Sequence, residues 1–390
     1  MYAQLSGFSK TPISPHGEAL QALRATPTDT GLPHLLGYGP VARLNPYQSL
    51  LYQGFADRGI AVAPVFEPIR VRELLGLKPL VRGMSLHLHW MSWLTGEAPT
   101  AAKARSVGMG YLGRLRQFRD RGGSVVWTVH NVYPHDSRFV DEDLEIQQEL
   151  AELVDVVHLM SPAVLEAMDG LTSIDQSKVV HAPHPSYAGA YEDFVSRSEA
   201  RATLGIDSDE IVFVLFGALK AYKGVDTLLQ GFDRLVERHG RQTKFRLLIA
   251  GQPDADPDVQ AAVHTALRHP SVLIDPSRVP GNRAQYFLRA ADVGLATYDR
   301  SLNSGAALLY QTFGLPVVAT QTPVFTETLP PEIAEFVPQG ADGDSLADTL
   351  ARSVRLVGPE TTERVLEAVA PLHPGIVSRR FADELLERLR

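Results

Sequence analysis

Apolar positions in this chain come in short β-rich blocks separated by longer stretches with helical spacing, and the alternation runs through two successive series. Pro33-His-Leu-Leu-Gly37-Tyr-Gly39-Pro40 reads as a short buried strand ending in a glycine turn. Tyr47 to Arg58 follows with Leu50, Leu51 and Phe55 at helical spacing and closes at Gly59; Ile60 to Phe66 is the next strand. A strand, a helix and a strand in that order demand a parallel sheet. Met84 to Trp90 alternates like a strand, 102–121 forms a basic amphipathic helix ended by Gly122-Gly123, and Ser124 to Val129 is an apolar β-branched strand. The polar loop His130-Asn131-Val-Tyr-Pro-His135-Asp136 comes next, and strands at Val154–Leu159 and Lys178–Val180 complete the first series.

The second series begins after a polar connection around 183–200. It predicts strands at Ile211–Phe216, Phe245–Ala250, Val272–Ile274, Val293–Ala296 and Pro316–Val318, with helices at Val225–His239, Asp258–Arg268, Gln285–Ala290 and 304–313 between them. The fold class is therefore α/β: two doubly wound Rossmann-like domains, with ligands expected in a cleft between them at the C-terminal strand ends. The expected organisation is an N-terminal extension (1–31) outside the first core, a first domain (32–190), a second domain (191–378) and a final helix (379–390) packing across the domains. No internal repeat and no low-complexity segment is present.

Composition narrows the classes. The 390 residues are 44% apolar and 21% charged, with a net charge of −8, which argues against a whole-surface nucleic-acid binder. No aromatic-interleaved basic motif points to nucleic acid either. The absence of cysteine excludes disulfides, thiolate metal sites and cysteine nucleophiles and fits a reducing compartment. No apolar run reaches a membrane-spanning length, and the N-terminus lacks a signal-peptide core, so a cytoplasmic protein is expected. One local imbalance stands out: residues 70–121 hold ten basic and three acidic side chains. Such a stretch is suited to anionic lipid headgroups at the inner face of the membrane, or is simply a solvated helix face.

Two stretches carry candidate chemistry. In Phe213-Val-Leu-Phe216-Gly217-Ala-Leu-Lys220-Ala-Tyr222-Lys223-Gly224-Val-Asp226, a buried strand runs into a glycine turn that presents two lysines at the start of a helix. Two ammonium groups beside a helix N-terminus are suited to a diphosphate. In Asn303-Ser304-Gly305, the unpaired amides of a helix start are placed for an anion, with Gly305 permitting close approach and Ser304 capping or donating. Solvated lysines and an ordinary serine cap are the plain alternatives.

Taken together, Lys220-x-x-Lys223-Gly, Ala290-Ala291-Asp292-Val-Gly, Ser304-Gly305 and Phe313-Gly-Leu-Pro-Val-Val-Ala resemble the C-terminal domain of GT-B glycosyltransferases. Gly37-x-Gly39, Asn45-Pro-Tyr47 and Thr128-Val-His130-Asn131 agree with the first domain of that family. Bacterial exopolysaccharide and lipid-linked sugar transferases, including β-mannosyltransferase-like ones, are the most similar members. The resemblance implies a nucleotide-sugar substrate on the second domain, a glycan or lipid-linked acceptor on the first, and neither a metal nor a cofactor. Gly217, Lys220, Lys223, Ser304 and Gly305 are then the diphosphate site, and Gly39, Asn45, Tyr47 and His89 the acceptor side.

Many retaining members carry paired glutamates around 301–310, where this chain has no acid, which favours inversion. Glu327 is the nearby carboxylate, placed to bind a ribose hydroxyl or to cap a loop. An inverting transfer needs a base to take the acceptor hydroxyl proton. The candidates are His130, His135 and Asp136 in the loop after the 124–129 strand, and His87 or His89 on the strand before it. Asp136 is preferred as base, with His130 as a sugar-contacting donor. A non-catalytic nucleotide- or glycan-binding relative, or a sugar-nucleotide epimerase or phosphorylase, are the competing readings.

Overall fold

The computed structural model describes residues 15–28, 31–42, 44–65, 68–131, 137–298 and 304–389. The chain divides into two compact units, Met1–Pro185 with Leu372–Arg390, and Ser186–Pro371.

The first unit runs α1 (Pro15–Ala25), β1 (His34–Gly39), α2 (Tyr47–Leu51), β2 (Ile60–Pro64), β3 (Gly83–Leu88), α3 (Ala101–Asp120), β4 (Gly123–Thr128), α4 (Val140–Leu153), β5 (Val156–Leu159), α5 (Ala163–Met168) and β6 (Val179–His181). Its sheet has the order β2-β1-β3-β4-β5-β6 with every pair parallel. The strands read as continuous apolar runs because helices cover the sheet; β1 and β2 are buried at every position. Helix α3 starts where Thr100 accepts a hydrogen bond from the Lys103 amide, and it buries Ala104, Gly108, Tyr111, Leu112, Leu115 and Phe118 on one helical stripe.

The second unit runs α6 (Arg197–Leu204), β7 (Ile211–Phe216), α7 (Val225–His239), β8 (Phe245–Ala250), α8 (Pro257–Ala266), β9 (Val272–Asp275), α9 (Gly281–Ala290), β10 (Val293–Ala296), α10 (Gly305–Thr312), β11 (Val317–Thr320), α11 (Pro323–Thr328), β12 (Ala334–Val337), α12 (Gly343–Ser353) and α13 (Pro359–Val369). Its sheet order is β12-β11-β10-β7-β8-β9, again all parallel. The last helix, α14 (Pro374–Arg388), returns to the first unit.

Three expectations meet a different structure. The extension expected outside the first core contains α1, which lies against β2 with Ala19 fully buried. The helix expected over 47–58 stops at Leu51 and resumes only as a 3-10 turn, Ala56–Arg58. Between the two, the Gly54 amide donates to Ser378 Oγ of α14 at 2.8 Å, and a Cβ at Gly54 would sit 2.7 Å from Arg379 Cγ. The close approach of a helix more than 320 positions away breaks the local period, which no window of the sequence around 54 reveals. Third, α14 is a core element of the first unit: Phe381, Ala382 and Leu385 are buried among Tyr38, Leu51 and Phe55.

Asp292, part of the Ala-Ala-Asp motif, holds the second unit together at the N-terminal edge of its sheet. Its carboxylate accepts from Arg201 at 2.8 Å, from the Val212 amide at 2.8 Å and from Arg197. Arg201 is 4% exposed and donates also to the carbonyls of Asp207, Ser208, Glu210 and Ala290. Removing one partner of a buried, fully bonded pair leaves an uncompensated charge. Asp292→Ala is therefore expected to destabilise the protein by about 3–5 kcal/mol in urea unfolding, whereas Arg197→Ala, at the exposed end of the cluster, costs under about 1 kcal/mol.

Candidate active site

In each sheet the strand order reverses once, between β1 and β3 and between β7 and β10. At such a reversal the connecting helices leave to opposite faces and open a crevice beyond the C-terminal strand ends. In both units several of the described residues singled out in the sequence lie at or beside that place.

In the second unit the β7–α7 turn spans Gly217 to Gly224. Both glycines have positive φ, 98° and 56°, which bends the chain sharply between strand and helix. Lys223 folds back under the turn: it is 6% exposed, and its Nζ donates to the Phe216 carbonyl at 3.2 Å. Burial lowers its pKa to about 8, because an ammonium with so little water around it is poorly solvated. Lys220 stands at the turn's half-exposed edge, 4.0 Å from Asp254.

On the neighbouring strand, β10 leads to Tyr298 and then to Ser304, the cap of α10. Ser304 Oγ accepts from the Ala307 amide at 3.1 Å and pairs with the Tyr298 hydroxyl at 2.6 Å. The first-turn amides before Ala307 have no acceptor within the helix. Tyr310 of α10 accepts a 2.8 Å hydrogen bond from the Phe216 amide, tying this helix to the strand that carries Lys223. Gly305 has a second reason to lack a side chain: a Cβ there would lie 2.5 Å from the Tyr187 hydroxyl. A pocket of about 280 Å³ opens at the same strand ends, walled in part by Tyr222, Thr227, Thr297, Tyr298 and Thr320. Glu327 is exposed in the last turn of α11.

In the first unit, β1 ends at Gly39, whose carbonyl accepts from the His89 amide at 3.0 Å, and the Gly39–Pro40 peptide is cis. Gln48 braces the following loop, accepting from Ala42 and donating to the Pro40 carbonyl, while Asn45 Oδ1 accepts from the Tyr47 amide. Tyr47 is buried among aromatic rings, with His184 at 4.7 Å, His130 at 5.2 Å and His89 at 5.8 Å between centroids. Trp90 stacks on His130 at 4.3 Å. Burial holds His87, His89 and His130 well below the ordinary imidazole range, and His158 and His184 at about 4, so the cluster is neutral. The structure thus brings Gly39, Tyr47, His89 and His130 together; His135 and Asp136 lie outside the described residues. Among the described residues no three His, Asp or Glu side chains are placed to hold a metal ion.

The basic stretch 70–121 is answered from outside itself: Arg105, Arg116 and Arg119 pair with Glu145, Glu149 and Asp155. The shared surface of α3 and α4 therefore carries mixed charge. No described helix is long and apolar enough to cross a membrane.

Residues 210–355 match the family model of the glycosyl transferases group 1. The matched stretch lies within the second unit. A D-inositol 3-phosphate glycosyltransferase of Actinosynnema mirum is 25% identical over 281 residues, covering 68% of this chain and 63% of the relative. One of the same description from Saccharomonospora viridis is 30% identical over 201 residues, 50% of this chain and 46% of the relative. Both matches thus span less than two thirds of the relative's own length. Among solved structures, the Anabaena protein HepE in complex with UDP and glucose superposes with a TM-score of 0.68 at 12% identity, covering 91% of this chain and all of that one. The fold is that of the GT-B glycosyltransferases.

Within the matched region both loops are legible in the sequence, but what joins them is not. Tyr310 and Tyr187 are hidden in an apolar helix and a connection, and only long-range contacts give their hydroxyls a role. In the first unit Tyr52, Thr128 and His158 were overlooked as partners of the histidines. One signal was present: His87 and His89 are two apart on a strand, hence on one face, and buried histidines require hydrogen-bond partners.

A nucleoside diphosphate bound against Lys223 would be held with a pH-dependent affinity. The anion favours the ammonium form, which the free protein holds below about pH 8 and loses above it. Affinity measured by calorimetry is expected to be flat below that value and to fall toward about tenfold per pH unit above it. An affinity unchanged to pH 9.5 (about 1.5 units higher) contradicts contact between Lys223 and the diphosphate.

Proposed function

We propose that this protein transfers a hexosyl group from a nucleoside diphosphate sugar, a UDP- or GDP-sugar, to a hydroxyl of a glycan or lipid-linked acceptor. The reaction needs no resident metal and inverts the anomeric centre. The observation that carries this reading is the buried Lys223 ammonium in the β7–α7 turn, on the strand next to the one that leads to the capped start of α10, inside a group 1 glycosyltransferase domain. As the bond from sugar to diphosphate breaks, negative charge grows on the leaving oxygens. Lys223, Lys220 and the amides at Gly305 are donors fixed before the reaction begins, and such preorganisation is where catalytic electrostatics is strongest. The diphosphate donor is also in keeping with the UDP bound by the Anabaena structure.

The acceptor side falls to the first unit, where Tyr47, His89 and His130 line the strand ends and the loop after β4 supplies the base. Inversion is supported by the described part of 301–310: Ser304 to Tyr310 offers hydroxyls, amides and apolar groups but no carboxylate for a retaining mechanism.

Donor turnover tests the reading. With a panel of UDP-, GDP-, ADP- and dTDP-sugars, one donor is expected to release its nucleoside diphosphate in the presence of excess chelator. Lys223→Met is expected to lower that turnover at least about 100-fold, the loss of one preorganised donor being about 2.7–4 kcal/mol. Wild-type turnover in this variant contradicts the diphosphate clamp. Tight binding without release of any diphosphate makes the protein a nucleotide-binding relative without catalysis.

A further inference from the structure

A continuous line of hydrogen bonds crosses the first unit beneath its strand ends. It starts at the Ala182 carbonyl and passes through His158, Thr128, His87, Tyr52 and His89 to His130. The links measure 2.8, 2.8, 2.7, 2.8, 2.7 and 3.0 Å in that order. His158, Thr128, His87, Tyr52 and His89 are all buried, and His130 is half-buried at the far end.

The direction of every link follows from the first one. A carbonyl only accepts, so His158 carries its proton on Nε2. As a neutral ring, His158 then presents a lone pair at Nδ1, to which the Thr128 hydroxyl donates its single proton. Thr128 must therefore accept from His87 Nε2–H, which leaves His87 Nδ1 as an acceptor for the Tyr52 hydroxyl. Tyr52, its proton spent, accepts from His89 Nε2–H, and His89 Nδ1 accepts from His130 Nε2–H. His130 ends the line with its proton committed and its lone pair on Nδ1. Reversing the line would turn the His158 Nε2 lone pair against the Ala182 carbonyl, two buried acceptors face to face, which folded proteins avoid. Burial keeps all the imidazoles neutral, as the argument requires.

We propose that this line is a tautomer lock, in which Tyr52, Thr128, His87 and His158 are positioning residues that hold His130 with Nδ1 as its hydrogen-bond-accepting atom. Its role in transfer rests on the glycosyltransferase reading; the tautomer itself rests on the geometry alone. The sequence casts His130 as a donor to sugar, but its one proton goes to His89. With Nε2–H committed to His89, His130 can only accept a hydrogen bond from a sugar hydroxyl, and it does so at Nδ1.

The test reads tautomers directly. In protein labelled with 15N-histidine, two-bond nitrogen–proton correlations distinguish Nε2–H from Nδ1–H, and loss of one signal in His130→Gln assigns the ring. Wild-type His130 is expected as a single Nε2–H tautomer. Thr128→Val cuts the line beyond His87 and frees the remaining segment to reverse, so the Nδ1–H form is expected to rise at least about tenfold. Thr128→Ser, which restores both hydrogen bonds, returns the single form, and Tyr52→Phe gives an independent cut should Thr128→Val fold poorly. A wild-type Nδ1–H tautomer, or cuts that leave the tautomer unchanged, overturns the lock. In turnover, Thr128→Val is expected to lower kcat at least about tenfold through the misdirected His130 contact, and Thr128→Ser to recover it. If no nucleotide sugar is turned over while the tautomers behave as expected, the transfer reading fails and the lock stands.

Discussion

Each sheet of this protein is parallel and each reverses its strand order once, and that single constraint decides where polar chemistry is tolerated. Parallel strands buried on both faces leave no room for charge along their length. At the reversal the helices diverge and backbone ends become reachable. The glycine turn after β7, the capped start of α10, the Gly39–Pro40 loop and the β3 end with His89 sit at such reversals, and His130 lies one strand further, beyond β4.

The two ends of the second sheet treat charge in opposite ways. At the N-terminal edge Asp292 and Arg201 are both buried, mutually paired and saturated with further hydrogen bonds, an arrangement that serves the fold. At the C-terminal edge the Lys223 ammonium is buried against a carbonyl, which cannot neutralise its charge, and its lowered pKa registers the cost. A cation held at a desolvated position, at a reversal where a doubly wound sheet opens to ligands, is a group whose charge an anion can complete. The histidines of the first unit follow the same logic without charge: burial keeps the rings neutral, and neutrality lets hydrogen bonds fix their direction.

Much of this architecture is legible in the sequence. Strands β7, β8 and β10 and helix α7 lie at the boundaries their apolar periods predict, because each packs its own period against a covered sheet. The family resemblance drawn from 211–327 falls within the matched region 210–355. The illegible parts depend on distant partners. Helix α2 is cut short where Gly54 meets α14, and α1 joins the first core although its segment has a weak period. The histidine line is hidden for the same reason: its members come from β3, β4, β5 and the segment around Tyr52, and only the strand register, which sets Thr128 beside His158, brings them into contact.

Under the proposed function, the β7–α7 turn and the start of α10 together hold a diphosphate. Amide hydrogen exchange of the full chain, with and without the nucleoside diphosphate that binds it, tests this most directly. The account requires slower exchange in 217–224 and 304–308 on binding. Saturating nucleotide that leaves both segments unchanged while slowing exchange elsewhere would contradict it.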